Sequence, residues 1–345
     1  MGLLVDIRKD FGPFRLNVNF EAGEGVTGLL GASGCGKSVT LRCIAGVERP
    51  DSGHIELNGR VLFDSKRRID LSPQRRRVGC LFQNYALFPN MTVEANIAAG
   101  VRERGNRRAE TERLMTSFHL EECRGKYPRQ LSGGQQQRAA LARILASRPE
   151  ALLLDEPFSA LDSYLKGQIE VDLMERLARF SGPVLFVSHS REEICGQCGS
   201  VCVLDRGRSQ PVQTVRELFE APATLAACRL SGCENLSQAK PLENGRLEVP
   251  DWGGILETGR PLPRGMSHVG IRAEHLRAVA GPGINHFSCR ILRRIHEPHR
   301  AVLLLKAPGE NLLRMAWPAE RAVPAGDGPF WVELPPERLL LLTER

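Results

Sequence analysis

No apolar run in the 345-residue chain approaches the ~20 residues that a membrane-crossing helix needs. A membrane function therefore requires a separate membrane partner. The N-terminus also lacks the basic-then-apolar stretch of a secretory signal, so the expectation is a chain that stays in the cytoplasm. No aromatic-interleaved basic stripe accompanies the densest basic patches, Lys66-Arg67-Arg68 and Arg75-Arg76-Arg77. The net charge of +7 is accordingly assigned to a solvated face near anionic lipid headgroups, and no nucleic-acid partner is expected. Beside Cys195-x-x-Cys198-x-x-x-Cys202 there is no second cysteine pair at ligand spacing, which argues against a metal or redox centre. The ten cysteines are scattered in mostly apolar settings, as expected of small hydrophobes in a reducing compartment.

What the chain does have is an ordered set of phosphate-handling motifs. Gly31-Ala32-Ser33-Gly34-Cys35-Gly36-Lys37-Ser38 fits G-x-x-x-x-G-K-[ST]. The apolar stretch Val26-Thr27-Gly28-Leu29-Leu30 before it predicts a buried strand, and Val39-Thr40-Leu41-Arg42-Cys43-Ile44-Ala45 after it predicts a helix. In that context the glycines let the backbone curl until several N–H groups face one anion, and the helix N-terminus adds partial positive charge. Lys37 is placed to reach the β- and γ-phosphates, and the Ser38 hydroxyl to ligate Mg²⁺. Further on, Ala151-Leu152-Leu153-Leu154 predicts a strand buried on both faces, ending in Asp155-Glu156. The chemistry of such a strand end assigns Asp155 to the metal and Glu156 to general-base work on the attacking water.

The first 80 residues predict a sheet, with Phe14-Arg15-Leu16-Asn17-Val18-Asn19-Phe20 alternating as a half-buried strand and Asn58-Gly59 closing a hairpin. Residues 84–150 are expected to be mostly helical, and 151–220 to return to strands and helices, giving a largely parallel sheet with an antiparallel edge. Near 221–237 the pattern changes to short β segments punctuated by Pro and Gly, at 246–249, 268–272, 289–292, 301–305 and 330–334.

Leu131-Ser132-Gly133-Gly134-Gln135, followed by Gln136-Gln137-Arg138, resembles the signature of ATP-binding-cassette (ABC) ATPases. A helix beginning at about Gln135 would make this a second anion-ready N-terminus. One nucleotide does not need two such sites on one chain, so the resemblance implies a head-to-tail homodimer in which Ser132, Gly133, Gly134 and Gln135 cap ATP held by the other protomer. The resemblance also implies roles for Gln83, joining metal and water to the coupling region, for Asp162 at the dimer interface, and for His189 on the γ-phosphate. Phe11 is the candidate for stacking on adenine, with Phe14 second; the alternative for Phe11 is a core position in the first sheet. Ser190 departs from the Asp or Asn that many members carry after the histidine.

The implied fold is α/β: a P-loop ABC ATPase domain over 1–230, with a RecA-like core, an antiparallel β edge and a helical signature subdomain, then a small OB-like β-barrel (TOBE/MOP) domain over 231–345. Gly270-Ile271-Arg272-Ala273-Glu274-His275-Leu276 resembles the signature of that second domain, whose role is either oxyanion binding or dimer stabilisation. Soluble cassette ATPases of translation or DNA repair usually carry a second cassette or a long coiled-coil insertion, and neither is present. Pro73-Gln74-Arg75-Arg76-Arg77-Val78-Gly79 and Phe82-Gln83-Asn84-Tyr85-Ala86-Leu87-Phe88-Pro89 are similar to the ATPase subunits of molybdate importers, with sulfate importers next. The partners so implied are integral-membrane permease subunits, gripped around Tyr85 to Met91, and an extracytoplasmic substrate-binding protein. The implied location is the cytoplasmic face of the cell membrane.

Overall fold

A computed structural model describes all residues except 1, 83–84, 103, 159–162, 297–300, 319–328 and 345, and, within helices, the side chains at 104, 163–166, 168–169 and 172. The chain divides into two compact units, Met1–Val215 and Arg216–Arg345. The division falls ahead of the 230/231 boundary expected from the pattern change.

The first unit runs β1 (Leu3–Asp10), β2 (Arg15–Ala22), β3 (Gly25–Leu30), α1 (Lys37–Ala45), β4 (Ser52–Leu57), β5 (Arg60–Asp64), β6 (Ile69–Asp70), α2 (Pro73–Arg76), β7 (Val78–Leu81), α3 (Val93–Gly100), α4 (Arg107–Ser117), α5 (Gly133–Ala146), β8 (Ala151–Asp155), α6 (Ser163–Leu177), β9 (Pro183–Ser188), α7 (Arg191–Gln197), β10 (Ser200–Asp205), β11 (Arg208–Ser209) and β12 (Gln213–Thr214). Among the described residues its strands form one curled sheet, in the order β6-β5-β4-β1-β2-β11-β10-β3-β9-β8-β7, with β12 paired to β10 off this path. The stretch β10-β3-β9-β8-β7 is parallel, and β1, β2, β4, β5 and β6 form the antiparallel edge. The sequence explains the split. Strand β2 alternates buried and exposed positions along its whole length, whereas every residue of β8 and β9 is buried, as strands covered on both faces must be. Helices α3, α4 and α5 pack together beside this sheet.

Arg76 corrects the expectation that residues 75–77 form a solvated basic face. Its side chain is wholly buried. Nη1 donates to the carbonyls of Cys43 and Ile44 (2.7 and 2.9 Å), Nε to that of Leu71 (2.8 Å), and Nη2 to Asp70 Oδ1 (2.9 Å). The first two acceptors lie in the last turn of α1, where helix carbonyls have no intrahelical donor. Arg76 thus caps the helix that carries the phosphate loop. Arg75 and Arg77 are exposed, and Arg77 pairs with Glu150 at 3.0 Å.

The second unit opens with α8 (Val215–Glu220), which crosses the division, and α9 (Leu225–Leu230). Among the described residues its strands form three small sheets. Met266–Ile271 is flanked by Asn235–Gln238 and Leu340–Thr343; Arg246–Val249 is flanked by Lys240–Pro241 and Gly254–Glu257. The third sheet holds Arg277–Val279, Phe330–Glu333, His286–His296, Ala301–Lys306 and Leu312–Trp317, in that order. One core, with Trp252, Phe287, Met315 and Trp317 at its centre, joins them. Arg272, in the signature-like run, donates to the carbonyls of Phe219 and Ser231 and so ties that run to α8 and α9.

Replacing Arg76 with Met should cost about 3 kcal/mol, because it takes the buried guanidinium from the Ile44 and Leu71 carbonyls, while the Cys43 carbonyl keeps the Gly46 amide and Asp70 keeps Arg49. Lys at this position should recover less than half, since an ammonium cannot fork to four acceptors. Denaturant midpoints of the full chain check both.

Candidate functional site

Three adjacent strand ends build the site. In the parallel sheet Leu30 of β3 lies opposite Ser188 of β9, and Val187 of β9 opposite Asp155 of β8. The segments that follow, beginning at Gly31, Glu156 and His189, therefore leave the sheet from one edge, where open α/β sheets bind ligands.

The phosphate loop runs from Gly31 to Ser38. Its shape requires glycine at two points. A Cβ on Gly31 would stand 2.4 Å from the Leu204 carbonyl oxygen, and Gly36 sits at φ 109° with Leu16 Cδ1 2.6 Å from where its Cβ would be. Ala32, Ser33 and Gly34 are exposed at the mouth, and Cys35 and Lys37 are buried beneath. Lys37 Nζ donates to the carbonyls of Gly31 (2.7 Å) and Ala32 (3.0 Å), which sets the charge at the centre of the loop. Burial pushes the Cys35 thiol up, against the opposing pull of Lys37.

Asp155 is only 4% exposed. It accepts a hydrogen bond from Ser38, while its Oδ1 has no hydrogen-bond partner. Burial pushes its carboxyl above the usual carboxylate range; Ser38 and then Lys37 act in the opposite direction. A buried carboxylate oxygen left open beside a serine hydroxyl fits Mg²⁺, which takes few protein ligands and fills its shell with water and phosphate oxygens. No cluster of three or more His, Cys, Asp or Glu that could hold a metal occurs among the described residues. In the run Cys195, Cys198 and Cys202, burial pushes the thiols of Cys198 and Cys202 to about 12, and Cys195 is exposed.

Glu156 stands in the left-handed region at φ 47°, a strain of about 1 kcal/mol for a residue with a Cβ. Its amide donates to the Val187 carbonyl at 3.0 Å, and its Oε1 lies 3.2 Å from His189 Nδ1. The structure thus joins the candidate base to the candidate γ-phosphate contact. Ser190 caps α7 by accepting the Glu193 amide (3.2 Å), and Ser188 Oγ donates to the Glu193 carboxylate (2.6 Å). Ser190 can replace Asp or Asn because its hydroxyl performs the same capping.

The signature lies at the start of α5, which begins at Gly133, two residues before the expected Gln135. Ser132 Oγ accepts the Gln135 amide and Gln135 Oε1 accepts the Ser132 amide, a reciprocal cap. The signature makes no hydrogen bond to residues 31–38 among the described residues. Phe11 is 42% exposed in the β1–β2 turn, which removes the core alternative; its ring lies 6.3 Å from that of Phe14 and 5.5 Å from Lys9 Nζ. Gln83 and Asp162 fall outside the described residues.

Two polar residues that sequence reasoning missed shape the neighbouring surface. Asn96, wholly buried, accepts the Phe88 amide and donates to the carbonyls of Phe88, Met91 and Thr92. Arg143 reaches the carbonyls of Tyr85 and Ala86. Neither carries a motif; both are identifiable only from what they touch. In the second unit a cavity of about 820 Å³ is lined by Arg260, Arg272, Arg338 and His275, but also by Glu220, Glu274 and Glu337. Its charges balance.

Between the ordinary carboxylate value of 3.8 and its raised folded value, Asp155 holds a proton in the folded chain that the unfolded chain has lost. Stability therefore falls as pH rises through that window. Asp155→Asn should raise the Tm of the nucleotide-free chain, with a gain that vanishes below the window and is full above it, while abolishing Mg²⁺-dependent ATP hydrolysis. Thermal melts from acid to neutral pH check the first outcome, and phosphate release the second.

A family profile described as "ABC transporter" matches residues 14–159. The sulfate/thiosulfate import ATP-binding protein CysA 2 of Chromobacterium violaceum is 40% identical over 260 residues, 73% of this chain and 69% of that protein. The molybdenum import ATP-binding protein ModC of Paramagnetospirillum magneticum is 39% identical over 206 residues, 59% of this chain and 57% of that one. The spermidine/putrescine import ATP-binding protein PotA of Nitratidesulfovibrio vulgaris is 40% identical over 228 residues, 65% and 60% respectively. The chain thus spans less than two thirds of the length of the latter two. Among solved structures, the ATP-binding cassette MJ0796 in a dimeric post-hydrolysis state bound to ADP and Pi superposes with a TM-score of 0.52 at 27% identity, covering 63% of this chain and 99% of that one. Sharing so much sequence with one such ATP-binding protein, and this fold with a solved cassette, the chain belongs to the ATP-binding proteins of ABC transporters, and its first unit is an ABC-type ATPase.

Proposed function

We propose that the chain hydrolyses ATP to drive the import of a small oxyanion, molybdate, as the peripheral ATPase subunit of an ABC importer. One observation carries the hydrolytic part: the phosphate loop, the buried Asp155 with its open oxygen and the Glu156–His189 pair stand at adjacent strand ends. In this reading the loop amides and Lys37 bind the phosphates, Phe11 takes the adenine, and Ser38, Asp155 and Gln83 hold Mg²⁺. When bound, Mg²⁺ would supply positive charge against the charge developing on the phosphate oxygens. Glu156 takes a proton from the attacking water, and His189 orients that carboxylate and contacts the γ-phosphate.

The signature makes no hydrogen bond to the chain's own phosphate loop among the described residues, which supports a homodimer with Ser132, Gly133, Gly134, Gln135 and Asp162 completing the other protomer's site. The dimeric state of the similar cassette supports it too. No helix among the described residues is long and apolar enough to cross a membrane. A membrane partner is supported by the loop that Asn96 pins, which leaves Phe88 46% and Met91 40% exposed. Such apolar side chains on a fixed loop suit the grip on permease helices at the cytoplasmic face, with an extracytoplasmic binding protein delivering the solute. The β-rich second unit takes the place of a TOBE/MOP-like domain.

Molybdate is supported by the motif resemblance and by the relatives named for molybdenum import. A second reading, sulfate or thiosulfate, is favoured by the 260-residue match, which is longer than the first unit and so extends into the second. The test is ATP hydrolysis by the chain assembled with its permease and binding protein, with molybdate, tungstate, sulfate and thiosulfate added singly. Stimulation by molybdate or tungstate alone is expected. Stimulation by sulfate alone would replace the substrate and keep the mechanism.

Glu156→Gln should lower turnover by about 10²–10³-fold and accumulate an ATP-bound dimer. Single-turnover hydrolysis and light scattering read both effects. Hydrolysis near the parent rate would remove Glu156 from its role.

A further inference from the structure

The helix that begins at the signature also holds the segment that leaves Gln83. Arg143 lies on α5, ten residues beyond Gly133 and so about 15 Å along the helix axis. It donates from Nη1 to the Ala86 carbonyl at 2.6 Å and from Nη2 to the Tyr85 carbonyl at 3.4 Å. Its guanidinium carbon stands 5.0 Å from the centroid of the Phe88 ring. Tyr85 and Ala86 are consecutive and both left-handed, at φ 53° and 48°. Residues with a Cβ disfavour that region, and single residues adopt it more readily than pairs. Two successive residues of one hand turn their carbonyls the same way, and one forked guanidinium meets both.

The electrostatics are one-sided. Burial pushes the Arg143 guanidinium below its ordinary value, and no carboxylate pairs with it among the described residues. A half-buried cation of this kind is stable here only while the two carbonyls and the ring face are in place. The turn and the arginine therefore stabilise each other.

We propose that Arg143 is a positioning residue: it locks Tyr85–Ala86, which follow Gln83 by two residues in the sequence, in a left-handed turn and thereby sets the pose of Phe88 downstream. One rigid helix then carries the signature at its start and the clamp on the coupling segment three turns later. The inference rests on the proposed function for the roles of Gln83 and Phe88, but not for the clamp itself.

The test uses the full chain with Arg143→Met, Arg143→Lys, Ala86→Gly and the Met/Gly double variant. Chymotrypsin cleavage after Tyr85 and Phe88 reads the turn without requiring activity. It should accelerate by about tenfold in Arg143→Met and by less in Arg143→Lys. The kcat for ATP should fall about tenfold in Arg143→Met while KM stays within about twofold, because the phosphate loop is untouched. Ala86→Gly should raise the kcat of Arg143→Met well beyond any change it makes in the parent background, since glycine adopts the left-handed turn unaided. Parent-like cleavage in Arg143→Met would overturn the proposal. So would a lowered Tm with kcat and KM unchanged, or equal effects of Ala86→Gly in both backgrounds. If the parent chain hydrolyses no ATP, the function reading fails while the cleavage comparison still decides the clamp.

Discussion

The register of β3, β9 and β8 is the constraint from which the site follows. These strands are buried almost throughout, so their alignment is fixed by packing on both faces of the sheet. With Leu30 opposite Ser188 and Val187 opposite Asp155, the phosphate loop, the acidic turn and the histidine emerge together. A slip of one residue in β8 would turn Asp155 toward the opposite layer and separate it from Ser38. The curl of the loop and the left-handed Glu156 elaborate a juxtaposition that the core has already set.

That core also supports groups that would be unstable elsewhere. Asp155 keeps an unpartnered oxygen in a nearly dry setting, and Glu156 holds a disfavoured backbone. Arg76 shows how the opposite side is secured. Helix α1 turns its positive N-terminus toward the phosphate loop, and its last carbonyls meet a buried guanidinium. A cation at the C-terminal end complements the helix dipole and fixes where the N-terminal end sits. Phosphate binding and a distant arginine are thus linked through one short helix, with the strain located at the site and the compensation behind it.

Much of this architecture was legible in the sequence because its signals are local. Apolar runs gave β3 and β8, alternation gave β2, and Asn58-Gly59 gave the β4–β5 hairpin; each signal sits within a few residues. The phosphate loop and the signature were legible for the same reason, although α5 starts two residues early because Ser132 serves as its cap. Features that depend on distant partners were not legible. Arg76 meets Cys43 from 33 residues away and Arg143 meets Tyr85 from 58. In the sequence both are ordinary basic residues, and Arg76 even sits in a run that suggests solvent. The exposure of Phe11 was undecidable for a related reason: a phenylalanine beside a turn faces the core or the solvent according to how the hairpin packs. Several short strands of the second unit, Leu312–Trp317 among them, were also missed, since four to six residues with mixed polarity carry little periodicity.

The same physics explains why the cargo is hard to read from a cassette. Phosphate binding, metal binding and water activation are the same reaction whatever ion crosses the membrane, so the residues serving them carry no information about it. Relatives named for molybdenum, sulfate, polyamine and Fe(3+) import all lie between 37% and 41% identity to this chain, as expected if most of the shared sequence encodes that common chemistry. Discrimination must then reside where the chain meets other molecules. In the first unit the exposed surface best suited to that is the loop bearing Phe88 and Met91, pinned from below by Asn96 and from the side by Arg143. Both pins act on backbone carbonyls. The loop can therefore vary its exposed side chains without disturbing the backbone that the two pins hold.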